Sequence, residues 1–100
     1  MKVSKAMAEQ QVLQIPERFD FGFHKDFTAQ YQKMLLDNEC KKVVLEFSRT
    51  EYLDSSALGM MVLLNKKAKL VNKRVVVKGA KGNTLDILTI ANFDKLFPLE

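Results

Sequence analysis

Hydrophobic positions along the chain fall into two rhythms. VLQI (12–15), VVLEF (43–47) and RVVVKG (74–79) are short apolar runs rich in branched aliphatics and read as strands. VVLEF is nearly continuous in its apolar character, which predicts a buried central strand. Pro16 ends the first run and Gly79 the third. Between and after the runs, apolar residues recur three and four positions apart. In HKDFTAQYQKMLLD (24–37), Phe27, Tyr31, Met34 and Leu35 build one helical stripe, and Asn38 is a stop. A second helix is predicted over 55–72. GNT (82–84) starts a third, with Asn83 or Thr84 as cap and Asp86 in the first turn, and LDILTIA carries it to Asn92. RFDFGF (18–23) is a second strand or a turn, SRTEYLD (48–54) is a connection, and LFPLE closes the chain as a short edge segment.

Strands alternating with helices imply a βαβ sheet with helices packed against it. One hundred residues hold one core, so residues 10–100 are read as a single domain behind a lead-in at 1–9.

On a wheel of about 100° per residue, Ala57, Met60, Met61, Leu64, Ala68 and Val71 share the core face of the second helix. Lys66, Lys69 and Lys73 fall opposite. Ser55 falls there too, and Leu58 and Val62 place two apolar side chains on that same wet face. Two readings of LDSSALGMM (53–61) follow. Asp54, Ser55 and Ser56 all have N-cap chemistry, because their oxygens accept from free helix amides, and one cap suffices. Alternatively, the hydroxyls belong to a small docking surface centred on Ser55. A phosphate on Ser55 would put about −1.5 to −2 charges beside the positive end of the helix dipole. The fold tolerates that charge there, but a partner docked on the same surface would not, and Asp54 steepens the change in field. The residues alone leave the choice open.

Composition narrows the classes. Cys40 is the only cysteine, so neither a disulfide framework nor a cysteine-based metal site is expected. No apolar run reaches the roughly 18 residues of a membrane span, and the N-terminus lacks the apolar middle of a signal peptide. A cytoplasmic setting is expected. The net charge of +4 is concentrated in Lys66, Lys67, Lys69, Lys73, Arg74, Lys78 and Lys81. That run is either a solvated helix face or a nucleic-acid patch. No phosphate-cradling glycine loop, metal-ligand spacing or catalytic constellation is present: Gly79-Ala80-Lys81-Gly82 is a strand–helix turn, and His24 is a surface or capping residue.

VVLEFSRTEYLDSSALGMMVLLNKKAK resembles the central signature of STAS domains, the anti-sigma factor antagonists. The resemblance runs from about residue 10 to 99, through ERFDFGFHKDF upstream and RVVVKGAKGNTLDILTIANFDKLFPL downstream. It implies an α/β STAS fold, a mixed four- to five-stranded sheet with three to four helices. It also implies a phosphorylation site at Ser55, the serine directly after the acid. It also implies a partner-binding surface of Asp20, Asp54, Ser55, Ser56, Ala57, Leu58 and Gly59, to which the wheel adds Val62 and Lys66 beside Ser55. Ala57 stands where many members have glycine, and no glycine precedes Asp20, which loosens the carry-over of that acid.

The function so implied is that of a binding module, not an enzyme. The unphosphorylated protein would hold an anti-sigma factor that doubles as a GHKL-type serine kinase, and the phosphorylated protein would release it. A PP2C-type phosphatase would reset the switch. No cofactor, direct nucleic-acid contact or membrane insertion is expected. The alternatives are a STAS scaffold subunit of a lipid-transport ATPase complex and, from a different class, a small basic nucleic-acid-binding protein.

Overall fold

The computed structural model describes residues 9–100, so most of the expected lead-in lies outside the described residues. The elements run β1 (Gln10–Gln14), β2 (Arg18–Phe19), α1 (His24–Leu36), β3 (Lys42–Glu46), β4 (Tyr52–Leu53), α2 (Ser55–Leu70), β5 (Arg74–Lys78) and α3 (Gly82–Ile90). Single 3-10 turns at Phe21–Phe23 and Phe93–Lys95 precede α1 and follow α3.

Among the described residues the main sheet has three strands, not four or five. β3 lies between β1 and β5, while β2 and β4 form a separate two-stranded ladder. Every ladder among the described residues is parallel, so no mixed sheet is seen there. Pro16 explains part of the split, since it has no amide to continue the pairing of β1 with β3. The Ile15 amide still donates to the Glu46 carbonyl at 3.0 Å, after which the chain bends away to pair with β4. β4 itself is hidden in the 48–54 connection, too short to show a period. At the other edge, Leu99 bridges Val77 in parallel, as the closing segment suggested.

Register and alternation build the core. Leu13, Leu45 and Val77 share one row across the sheet, and Val43 and Val75 the next. They pack with Phe27 and Tyr31 of α1 and with Ala57, Met61, Leu64 and Ala68 of α2. Thr50, buried, ties the 48–54 connection to both flanks. Its hydroxyl donates to the Pro16 carbonyl at 2.9 Å, and its carbonyl accepts from the Thr84 hydroxyl at 3.1 Å.

Four expectations about helix ends and faces need correction. Val71 is 47% exposed, not core. It is the C-cap residue of α2, which closes in a Schellman arrangement: Asn72 takes a left-handed φ of 60°, and the Lys73 amide donates to the Ala68 carbonyl at 2.9 Å. Lys73 leaves the α2 face, because its ammonium donates to the Met34 and Asp37 carbonyls and so caps the C-terminus of α1. Neither Asn83 nor Thr84 caps α3. Lys81 holds the N-cap position without a side-chain bond, and Thr84 is turned inward to Thr50. Asp86 consequently lies beyond the first turn.

Gly79 closes β5 with φ of 79°. A Cβ there would meet the Ser48 hydroxyl and lie 2.7 Å from Glu46 Oε1. Gly79→Ala is therefore expected to destabilise the fold by about 1–3 kcal/mol, read as a lower urea midpoint at unchanged slope.

Candidate functional site

The two short strands place the site. Phe19 and Leu53 are buried, so alternation turns Arg18 and Tyr52 outward. Arg18 pairs with Tyr52 and Phe19 with Leu53, and the next residue on each chain is an aspartate, Asp20 on one and Asp54 on the other. Two acids thus leave adjacent parallel strands side by side, at the strand C-terminal ends where open α/β sheets present their functional groups.

Each acid caps the element that follows it. Asp54, in extended conformation, accepts from the Ala57 amide at 3.0 Å and starts α2. Asp20 accepts from the Gly22 amide at 2.9 Å and starts the 3-10 turn. The other Asp20 oxygen accepts from Arg18 Nε at 3.0 Å. The Arg18 guanidinium also lies over the Tyr52 ring, 4.2 Å from its centre. The array therefore carries one cation for two carboxylates. Beside it, Phe21 stacks on His24 with ring centres 4.9 Å apart.

The cap question has a definite answer in the geometry. Asp54 supplies the cap, and Ser55 and Ser56 are exposed, their hydroxyls without a hydrogen-bond partner among the described residues. From Ser55 a stripe runs through Gly59, Val62 and Lys66 along one side of α2. Gly59 and Lys66 are exposed, whereas Leu58 and Val62 are half-buried against the core, less wet than the wheel suggested. Ala57 is fully buried, so its methyl belongs to the core and is not open to a partner. Among the described residues, and apart from the helix's own backbone and Gly59's chain neighbours, nothing lies within 4 Å of where a Gly59 Cβ would stand. The fold makes no demand for glycine at that point.

Nearby, at the end of β3, the Ser48 hydroxyl and then its amide donate to Glu46, holding that carboxyl below the usual glutamate range. The basic run does not form one patch. Lys67 sits over the Tyr31 ring at 5.7 Å, Lys73 caps α1, and Lys78 and Lys81 lie at the opposite end of the sheet from Arg74. Among the described residues no group of three or more His, Cys, Asp and Glu side chains could hold a metal ion. Among the described residues no helix is long and apolar enough to cross a membrane.

A family model described as "Mlab, STAS domain" matches residues 3–99. The chain belongs to the STAS domain family. It is 35% identical over 94 residues to a STAS-domain containing protein of Pseudomonas aeruginosa, covering 94% of this chain and 91% of that one. Two solved structures share the STAS fold at low identity. The phosphorylated form of the Bacillus cell fate determinant SpoIIAA matches with TM-score 0.71 at 13% identity, over 94% of this chain and 85% of its own. A sulfate transporter family protein from Wolinella succinogenes matches with TM-score 0.76 at 13% identity, over 87% and 70%.

Arg18 and Tyr52 were not singled out from the sequence. Their signal was the repeated pattern Arg-Phe-Asp and Tyr-Leu-Asp, an outward residue, a buried one and a capping acid. The division of labour in the Asp-Ser-Ser segment is open to a stability measurement. Asp54→Ala is expected to cost about 0.5–2 kcal/mol, and Ser55→Ala less than about 0.5 kcal/mol, both by urea denaturation.

Proposed function

We propose that this STAS domain is an anti-sigma factor antagonist in a partner-switching pathway. Unphosphorylated, it binds an anti-sigma factor that is also a GHKL-type serine kinase. Phosphorylation of Ser55 releases that partner, and a PP2C-type phosphatase restores binding. The observation that carries the reading is that Asp54 alone caps α2, leaving the exposed Ser55 hydroxyl with no structural duty. A phosphoryl group on Ser55 adds about −1.5 to −2 charges. Asp54 directly precedes it and Asp20 leaves the neighbouring strand, while the one cation of the array is already engaged with Asp20. The new charge alters the surface without breaking a bond that the fold uses. On this reading the protein is a phosphorylation substrate, not a catalyst.

Gly59 supports the docking role of the same stripe. A glycine inside a helix costs about 0.5–1 kcal/mol relative to alanine, and here no contact among the described residues requires it. A partner backbone lying across the first turns of α2 would.

The sulfate transporter family neighbour favours a second reading, a scaffold subunit of a transporter, in which Ser55 is never modified. Intact mass with fragment mapping on protein from its native cells separates the two. A phosphate on Ser55 whose occupancy changes between growth and stress supports the switch, and unmodified protein throughout supports the scaffold.

Two sets of variants test the surface. Ser55→Ala should hold the kinase-like partner in the presence of ATP, while Ser55→Asp should bind it at least tenfold more weakly in calorimetry; equal affinities would refute a switch at Ser55. Gly59→Ala should raise the urea midpoint, a gain of about 0.5–1 kcal/mol, while weakening the partner's affinity. A more stable variant with undiminished affinity would remove Gly59 from the interface.

A further inference from the structure

The three α-helices α1, α2 and α3 of the described residues end alike. Each leaves the C-terminal end of a parallel strand and carries the chain back to where the next parallel segment begins, β3 after α1, β5 after α2 and the Leu99 bridge after α3. Their C-termini therefore share one end of the molecule, opposite Ser55. The last residue of each is a large aliphatic in water: Leu36 is 83% exposed, Leu70 84% and Ile90 80%. These are the most exposed large hydrophobics among the described residues. None belongs to the core.

Cations surround them. Lys41 lines a cleft with Leu36 and Val71, and Lys69 and Arg74 line the next with Leu96. Arg74 also stands across the ladder from Lys42. Lys42 is paired with Glu100, and Lys73 is spent on the α1 carbonyls, which leaves Lys41, Lys69 and Arg74 without an ion-pair partner among the described residues. Acids stand among them too: Glu9 and Glu39, which line clefts with Lys41, and Asp37, directly after Leu36, whose carboxylate accepts from the Gln11 side chain and the Glu39 amide.

We propose that this end of the domain docks peripherally on an anionic lipid surface. Leu36, Leu70 and Ile90 enter the boundary between headgroups and acyl chains, and Lys41, Lys69 and Arg74 face the anionic headgroups. The charge is complementary to such a surface, and juxtaposed aliphatics and cations are the pattern by which proteins lie on membranes without crossing them. Shape argues for lipid over protein. The aliphatics project singly from three separate helix ends, so they line no common groove for a peptide, whereas a fluid interface conforms to each. The Ser55 surface faces away and stays open to its own partner.

Co-sedimentation of the full chain with phosphatidylcholine vesicles, with and without phosphatidylglycerol, tests the proposal. Binding is expected only to the anionic vesicles and is expected to fall as salt is raised. Leu36→Ser with Leu70→Ser should lower partitioning roughly tenfold for each leucine removed. Lys41→Glu with Arg74→Glu should abolish it. All four positions are exposed or half-buried outside the core, and an unchanged thermal midpoint checks that the variants fold. No binding to anionic vesicles at low salt, equal binding to neutral ones, or indifference to both double variants would overturn the proposal. Binding to polyglutamate without binding to vesicles would overturn it in favour of an acidic protein. Ser55→Asp leaves vesicle binding unchanged, so failure here and failure of the switch are read separately.

Discussion

The hydrogen bond from the Ala57 amide to the Asp54 carboxylate is the point on which the site depends. It fixes where α2 begins, so it fixes which residues of the helix face the sheet. Counted from that start, Ala57, Met61, Leu64 and Ala68 fall on the buried face. Because the acid takes the capping duty, the two serines after it are released from it. A serine in the capping position would have tied its oxygen to the helix amide and put modification in conflict with folding.

The two-stranded ladder supplies the second half of the arrangement. Pairing Arg18 with Tyr52 and Phe19 with Leu53 makes the two halves of the site copies of one local plan. In each, an outward residue is followed by a buried one and then by a capping acid. One guanidinium then serves both halves, bonded to Asp20 and laid over Tyr52. The buried Thr50, held between the Pro16 carbonyl and the Thr84 hydroxyl, keeps this ladder in place against the rest of the molecule.

Much of this was legible in the chain, and the exceptions have physical causes. The stripe of Phe27, Tyr31 and Met34 and the run Val43–Leu45 announced their own burial, because period and composition agree there. β4 could not be read, since two residues carry no period and its pairing with β2 is non-local. The α3 start misled for a related reason. Thr84 has cap chemistry, but a tertiary partner, the Thr50 carbonyl, claims its hydroxyl. Lys73 looked like one more lysine of a wet face, and only the end of α1 lying beside it reveals a capping cation. In the site, the exposure of Ser55 and Lys66 and the burial of Ala57 all follow from the wheel, and only the resemblance had placed Ala57 on the partner surface.

The wholly parallel ladder also bears on how the chain finds its fold. β3 pairs with β1 on one side and β5 on the other, and neither neighbour is reached through a hairpin. Every strand pair closes a loop as long as a full βαβ unit, so the entropy of closure is met before any ladder bond is gained. The contacts within α1 and α2 are local, whereas every ladder bond of the sheet is non-local. The helix whose start is set by Asp54 is thus first of all the crossover that returns the chain so that β5 can pair with β3.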